Sequence, residues 1–204
     1  MPPTNLPSIR WHIPEKCSKL KVFLESNDWP TMSQLVKRNH RRSIYQLSVP
    51  DLGGIFYLKH DHPRTLRNRI KSLWRYKERA ELNTGLKLQE RGVRTVPIIG
   101  WGAKNPDSVL VTGMIPGTQS SLEVWSACRQ ENELRIRFID QFAIFLQSMV
   151  QGGVYHYDFH PGNILASTRQ KDGWFFLVDF SNISFRSSVN SKQKYRFVRW
   201  LEGM

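Results

Sequence analysis

The segment 155–165 and the aspartate that follows it constrain this chain more than any other part of its sequence. The segment reads Tyr-His-Tyr-Asp-Phe-His-Pro-Gly-Asn-Ile-Leu, which sets Asp158 and Asn163 five residues apart. The apolar run 174–178 ends directly before Asp179, which lies sixteen residues after Asn163. A proline–glycine pair predicts a loop in the first segment, and the short apolar run predicts a buried strand. The pattern therefore predicts a polar loop and a strand that together carry two carboxylates and one amide.

These are the groups that phosphoryl transfer from ATP requires. One carboxylate accepts or orients the hydroxyl proton, while a second carboxylate and an amide oxygen hold a divalent metal on the phosphates. The D-x-x-x-x-N spacing is that of a kinase catalytic loop, and His156 supplies its H-x-D beginning. We therefore predict Asp158 as the catalytic carboxylate, with Asn163 and Asp179 as metal ligands.

The residues at 156, 158 and 160 also allow a different interpretation. Two histidines and an aspartate at alternate positions could form a metal cluster, because alternate residues of a strand share one face. The proline and glycine directly after them, and the lack of further histidine or cysteine nearby, favour the kinase-like interpretation. We expect His156 to brace the loop by hydrogen bonding rather than to perform acid–base chemistry.

The remaining pattern predicts strands in the first half of the chain and helices in the second. The first thirty residues hold five prolines and predict an irregular lead-in. Strands are predicted at residues 43–49, 55–60, 96–99, 108–115 and 174–178. Helices are predicted at residues 65–91, 134–149 and 193–201. This order predicts an α+β fold with two lobes.

Lys59 stands at the end of an apolar strand, where a solvated lysine is not expected. A lysine in that place can bind nucleotide phosphates if a glutamate holds its ammonium group. Glu81, on the helix predicted at 65–91, is the partner we favour. Glu78 lies one turn earlier on that helix and could pair with Lys59 instead.

Together these strings resemble the protein-kinase-like superfamily, in the H-x-D-x-H-P-x-N version found among small-molecule and lipopolysaccharide kinases. More narrowly, the chain is similar to the bacterial lipopolysaccharide kinase family that phosphorylates Kdo or heptose of the inner core. The resemblance covers about residues 41–185. It depends on the strings at 57–59, 81–86, 92–97, 109–112 and 158–163, and on Asp179.

The resemblance implies one protein-kinase-like α+β domain over residues 1–204. It places an N-lobe with an antiparallel sheet at about 30–113, a linker at 111–117 and a helical C-lobe at about 118–204. Because few residues follow Asp179, we expect that C-lobe to be truncated. ATP and Mg2+ are the implied cofactors, with Lys59 as the phosphate-binding lysine and Glu81 as its partner. The backbone implied to bind adenine is that of Val111, Thr112, Gly113 and Met114.

Three features depart from the superfamily pattern. No G-x-G-x-x-G string is present, and the expected phosphate-covering turn, residues 37–42, is basic rather than glycine-rich. Ser181 replaces the glycine of Asp-Phe-Gly, which removes some backbone freedom at that position. Because few residues follow Asp179, we expect no activation segment, and this expectation argues against a regulated protein kinase.

The charge of the chain predicts an anionic partner. Its formal net charge is +13, and residues 64–79 carry seven basic side chains against a single acidic one. This run is either a solvated helix face or a surface for an anionic sugar or lipopolysaccharide acceptor at the inner membrane. Nucleic acid is a weaker candidate, since no recognised nucleic-acid motif accompanies the charge.

Cysteine use and hydropathy predict the compartment. Two cysteines far apart in sequence suggest a reducing compartment, and neither a secretory signal nor an apolar span is evident. We expect a cytoplasmic protein that can lie peripherally on the inner membrane.

The predicted function is ATP-dependent phosphorylation of a sugar hydroxyl of the lipopolysaccharide inner core. The alternatives are a kinase of another small molecule or of a protein, and a catalytically weak kinase-like binding module.

Overall fold

The structure is a computed structural model that describes residues 9–26, 28–63, 76–170 and 173–187. The chain divides into two compact units. The first consists of the chain up to Asn83 together with Pro97–Met114, and the second consists of Thr84–Val96 and the chain from Ile115 onward. Helix α3, Lys77–Glu90, contributes residues to both units.

The first unit contains a six-stranded antiparallel sheet with the strand order β1-β5-β6-β4-β3-β2. Its strands are β1 Arg10–His12, β2 Gln34–Arg38, β3 Arg42–Val49, β4 Gly54–Asp61, β5 Ile98–Lys104 and β6 Asp107–Gly113. The four strands that the sequence predicted in this unit are all present, and β5 extends further than predicted. Strands β3 and β4, which correspond to the strands predicted at 43–49 and 55–60, form a hairpin. Gly53 in its turn has a φ of +59°, which favours glycine.

Strand alternation divides the sheet into an apolar face and a polar face. Antiparallel register places Ile44 opposite Lys59 and Tyr45 opposite Leu58, so Lys59 and Leu58 project from opposite faces. The apolar face holds the core of the unit. Its buried members are Trp11, Leu20, Leu24, Trp29, Leu47, Val49, Leu58, Val109 and Val111.

The prediction of an irregular lead-in over the first thirty residues is wrong. This part of the chain contains β1, a 3-10 helix at Glu15–Cys17, and helices α1, Ser18–Ser26, and α2, Trp29–Met32. The buried rings of Trp11 and Trp29 meet edge to face, with their centroids 6.4 Å apart. Burying such rings stabilises the fold. Of the described prolines here, Pro14 precedes the 3-10 helix and Pro30 lies in the first turn of α2, where a helix tolerates proline.

The second unit contains two helices and five short strands among its described residues. The helices are α4, Ser121–Cys128, and α5, Asn132–Gln151. The strands are β7 Gln119–Ser120, β8 Val154–His156, β9 Ile164–Ala166, β10 Phe175–Leu177 and β11 Ile183–Phe185. Strands β10, β9 and β7 form one sheet, and β11 and β8 form another. The ends of the segment 154–165, which the sequence predicted as loop, are therefore short strands.

Helix α5 contains the helix predicted at 134–149, and its apolar side packs in the core. Phe138, Phe142, Phe145 and Met149 are buried along one side of the helix. Phe138 and Phe142 contact Phe175 of β10 edge to face, with ring centroids 4.9 and 5.0 Å apart. The helix ends at Gln151, directly before Gly152 and Gly153.

Two sequence predictions fall wholly or partly outside the described residues. These are the helix predicted at 193–201 and the part of the helix predicted at 65–91 that precedes residue 76. Within the described ranges, none of the helices combines the length and apolar character needed to cross a membrane.

Candidate active site

The structure brings Lys59 and Glu81 together in the first unit. Lys59 lies on the polar face of β4, and its Nζ donates to Oε1 of Glu81 on helix α3. The Glu81 side chain is buried. We predicted this pairing, with Glu81 rather than Glu78 as the partner of Lys59. The role of the pair in binding a nucleotide stays a prediction.

Glu78 occupies a separate buried position one turn earlier on α3. It is 0% exposed, and the hydroxyl of Ser108 on β6 donates to its Oε2. Burial, and after it the nearby negative charge of Asp61, raise the pKa of Glu78 from 4.5 to about 7. Sequence reasoning treated Glu78 only as a rival to Glu81. The spacing of the two glutamates on one helix face indicates that both point toward the sheet, but it does not indicate that the pKa of Glu78 is raised.

The predicted adenine linker is the end of strand β6. The Gly113 N–H donates to the Pro97 carbonyl oxygen at 2.8 Å, and the Met114 N–H donates to that of Ile55 at 2.9 Å. Val111 is buried in the core, on the opposite face from Thr112. Two of the N–H groups in the predicted linker are therefore bonded within the unit, and a base that used them would compete with those bonds.

The turn that the sequence placed over the phosphates connects β2 and β3. The Asn39 side-chain oxygen accepts hydrogen bonds from the N–H groups of Arg41 at 2.9 Å and Arg42 at 2.7 Å. An asparagine side chain can close a tight turn in this way without glycine. Since these two N–H groups are bonded inside the turn, this turn differs chemically from a glycine-rich loop that offers its amides to phosphate.

In the second unit, His156 links the predicted catalytic loop, residues 157–163, to Asp179. It ends β8 and is 0% exposed. Its Nδ1 accepts from the Asp158 N–H at 3.1 Å, and its Nε2 lies 3.3 Å from the Asp179 carbonyl oxygen. These contacts assign a neutral ring with the proton on Nε2, and burial lowers the pKa of His156, which favours the same form. This is the bracing geometry that the sequence predicted.

Asp158 presents its carboxylate to solvent while its backbone is fixed. Its side chain is 61% exposed. Its carbonyl oxygen accepts a hydrogen bond from Asn163 Nδ2 at 2.9 Å, so the two motif residues contact each other across the loop. His160 Nε2 lies 3.8 Å from Asp158 Oδ2, and its other ring nitrogen accepts from the Gly162 N–H. An exposed carboxylate on a fixed backbone can accept a proton from a bound hydroxyl.

Asn163 and Asp179 lie next to each other because strands β9 and β10 pair. Ile164 is opposite Leu177 in that pair, and the Val178 N–H donates to the Asn163 carbonyl oxygen at 3.1 Å. Asp179 Oδ1 accepts from the backbone N–H of Ser181 at 2.9 Å and from its hydroxyl at 2.6 Å. Ser181, which replaces the usual glycine, therefore helps to orient the Asp179 carboxylate.

The donor chemistry of Asn163 and Asp179 fits Mg2+. The Asn163 amide nitrogen is engaged by the Asp158 carbonyl, which directs the amide oxygen away from that bond. An amide oxygen and a carboxylate are the hard ligands that Mg2+ prefers. Among the described residues, no group of three or more His, Cys, Asp and Glu side chains is arranged to hold a metal ion. The alternative cluster at 156, 158 and 160 thus receives no support.

Kinase domains of known structure share the fold of this chain. The crystal structure of the BubR1 kinase domain is similar with a TM-score of 0.51 and 16% identity, over 78% of this chain and 48% of that one. The bifunctional kinase-methyltransferase WbdD is similar with a TM-score of 0.52 and 17% identity, over 80% of this chain and 34% of that one. The chain thus spans about half of the first structure and a third of the second. These similarities identify a protein-kinase-like fold and confirm the predicted fold class.

The family follows from the sequence as a whole. The sequence model of the family described as "Lipopolysaccharide kinase (Kdo/WaaP) family" matches residues 26–200, which is most of the chain. The chain therefore belongs to the lipopolysaccharide kinase (Kdo/WaaP) family, as its resemblance predicted. Curated proteins provide no match to it.

Proposed function

We propose that this protein is an ATP-dependent kinase that phosphorylates a sugar hydroxyl of the lipopolysaccharide inner core, on Kdo or heptose. Its family membership supports the reaction class and the acceptor class. The observation that carries the proposal is the bracing of the catalytic loop by His156, which bonds both the Asp158 N–H and the Asp179 carbonyl. A kinase site needs these two carboxylates at fixed positions, because positioning and charge supply most of its catalysis.

In the first unit, Lys59 would bind the phosphates of ATP. Its ammonium group already has a carboxylate partner in Glu81, which limits the rotamers of the lysine. The backbone of residues 111–114 would contact the adenine. In this proposal Glu81 is a positioning residue, because it acts on the nucleotide through Lys59.

In the second unit, Asp158 would orient the acceptor hydroxyl and take its proton. Its exposed carboxylate suits contact with a substrate that comes from solvent. Asn163 and Asp179 would hold Mg2+, which when bound neutralises charge on the phosphates. His156 would stay neutral and hold Asp158 and Asp179 at fixed positions relative to each other.

The acceptor and the location are proposed from charge. A net charge of +13 favours an anionic acceptor such as the lipopolysaccharide inner core. We propose that the protein works in the cytoplasm and contacts the inner membrane peripherally through the basic run at 64–79. Of that run, Lys77 and Arg79 are described. Lys77 is half-buried, with its pKa lowered by burial, while Arg79 is exposed and lies over the Trp101 ring. Lys77 therefore contributes less to such a surface than the sequence suggested.

The test is phosphate transfer from labelled ATP to purified inner-core acceptors, with and without heptose. Wild-type protein should label one of these acceptors, and Asp158→Asn should reduce turnover by about 10²- to 10⁴-fold, the range for loss of a general base. Asparagine keeps the size of the side chain but cannot take the proton. Nucleotide affinity, measured by calorimetry, should stay within a few-fold of wild type because Asp158 is not a proposed metal ligand.

A matched control is Asp140→Asn, which changes an exposed aspartate on helix α5. That variant should keep wild-type turnover. Undiminished turnover in Asp158→Asn would remove Asp158 from the mechanism. Wild-type protein that binds nucleotide but labels no acceptor would instead favour the kinase-like binding module.

A further inference from the structure

A chain of alternating charges lies on the polar face of the first unit's sheet, beside the Lys59–Glu81 pair. The register places Arg42 of β3 directly opposite Asp61 of β4, two residues from the Ile44–Lys59 pair on the same face. Asp61 and Glu81 are both buried, and the Arg42 side chain is 14% exposed. Arg42 is one of 30 basic residues in the sequence, and only the structure distinguishes it from the others.

Arg42 contacts both buried carboxylates. Its Nη2 lies 3.7 Å from Oε2 of Glu81, and its Nε lies 3.9 Å from Oδ1 of Asp61. Among the described residues, neither Arg42 Nη2 nor Glu81 Oε2 has a hydrogen-bond partner. A buried carboxylate oxygen without a hydrogen bond is costly, and the positive charge of the Arg42 guanidinium reduces that cost.

Arg41 also holds Asp61. The Nε and Nη2 atoms of Arg41 donate to the two Asp61 oxygens at 3.2 and 3.3 Å, a bidentate arrangement that fixes the plane of the carboxylate. Asp61 is therefore a fixed anchor for Arg42.

We propose that Arg42 is a positioning residue for Lys59. It holds the Glu81 carboxylate by the oxygen that Lys59 does not use, and Asp61 in turn holds Arg42. A lysine could not do this equally well, because the guanidinium presents Nε and Nη2 in a rigid plane that reaches two carboxylates at once. The inference rests on the proposed function, in which Lys59 binds the phosphates of ATP.

A double-mutant cycle tests whether Arg42 acts through Glu81. We expect Arg42→Met to lower kcat/KM for ATP about 10- to 100-fold, the loss that small misplacement of a catalytic group causes. Glu81→Gln should lower kcat/KM for ATP by at least as much. The kcat/KM of the double variant should lie within threefold of that of Glu81→Gln alone. Additive losses would overturn the inference, because they would mean that Arg42 contacts the phosphates itself or supports only the fold.

Two further variants guard against a folding artefact. Arg42→Lys keeps a positive charge and should retain more activity than Arg42→Met. Arg10→Met removes an exposed arginine from β1, at the opposite edge of the same sheet, and should keep wild-type activity. If Arg42→Met unfolds, the same cycle run with Arg42→Lys decides between coupled and additive losses.

A second measurement does not depend on catalytic activity. It is the rate at which N-hydroxysuccinimidyl acetate acylates the Lys59 amine, followed by peptide mass spectrometry. We expect it to be at least threefold faster in Arg42→Met and Glu81→Gln than in wild type, and unchanged in Arg10→Met. Wild-type protein that transfers no phosphate but shows this difference would refute the proposed function and support the positioning role. Equal acylation rates in a protein that does transfer phosphate would refute the positioning role alone.

Discussion

Replacement of Glu78 by glutamine should remove a large part of the pH dependence of the protein's stability. Glu78 is 0% exposed, and its pKa is raised from 4.5 to about 7, first by burial and then by the charge of Asp61. Arg42 lowers the pKa of Glu78 and Glu81 raises it, and Ser108 is its hydrogen-bond donor. The folded state therefore binds the Glu78 proton more tightly than the unfolded chain does.

The sign and size of the effect follow from linkage. Because the folded pKa is the higher one, the stability contributed by the Glu78 proton is complete below about pH 4.5. It is lost as the pH rises through about 7. Between pH 5 and pH 8 the loss is about 2 to 3 kcal/mol, since each unit of pKa shift corresponds to about 1.4 kcal/mol. Glutamine keeps the shape of the side chain but has no proton to lose.

Urea unfolding at pH 5 and pH 8 measures this difference. Wild-type protein should lose about 2 to 3 kcal/mol more in the free energy of unfolding over that range than Glu78→Gln does. Glu90→Gln, which changes an exposed glutamate on the same helix, should behave like wild type. Equal pH dependence in wild type and Glu78→Gln would refute the argument that the folded state holds this proton.

Three further predictions concern the metal, the membrane and one glycine. Asp179→Ala should abolish phosphate transfer and weaken Mg-ATP binding in calorimetry without unfolding the protein, and normal turnover would contradict its assignment. Binding to anionic vesicles should weaken as salt rises, and reversing three charges in 64–79 should remove most of it. Salt-independent cosedimentation would indicate apolar insertion instead. Gly153→Ala should cost about 2 kcal/mol or more in urea unfolding, because φ is +64° and a Cβ would lie 2.0 Å from the Arg186 carbonyl oxygen. Gly92→Ala, with φ of +75° and open space, should cost less.

The arrangement of the second unit was predictable because its motif lies in consecutive residues. The D-x-x-x-x-N spacing determines which groups share one loop. The pairing of β9 with β10 is then the one contact between distant residues that is needed to place Asp179 beside Asn163. The bracing by His156 was predictable for the same reason, since its first partner is two residues away.

The surroundings of Lys59 were less predictable, because they join distant parts of the chain. Arg42 reaches Glu81 from a position 39 residues away in sequence. In a chain with 30 basic residues, composition cannot indicate which arginine becomes buried. The lead-in was misjudged for a related reason. Its apolar residues look sparse along the sequence, but Leu20 and Leu24, one turn apart on α1, are both buried in the core.

The two sets of predicted site residues are held by different kinds of interaction, and this determines how each should respond to pH. In the second unit, Asp158, Asn163 and Asp179 are fixed by hydrogen bonds to the main chain and to a neutral His156, whose pKa is lowered by burial. In the first unit, Glu81 is fixed by charges, and Glu78 nearby changes its own charge near pH 7. An ionised Glu78 attracts Arg42 and repels Glu81, so a rise in pH loosens the contact that we propose positions Lys59. The pH sensitivity of nucleotide binding should therefore originate in the first unit, and Glu78→Gln should reduce it without affecting Asp158.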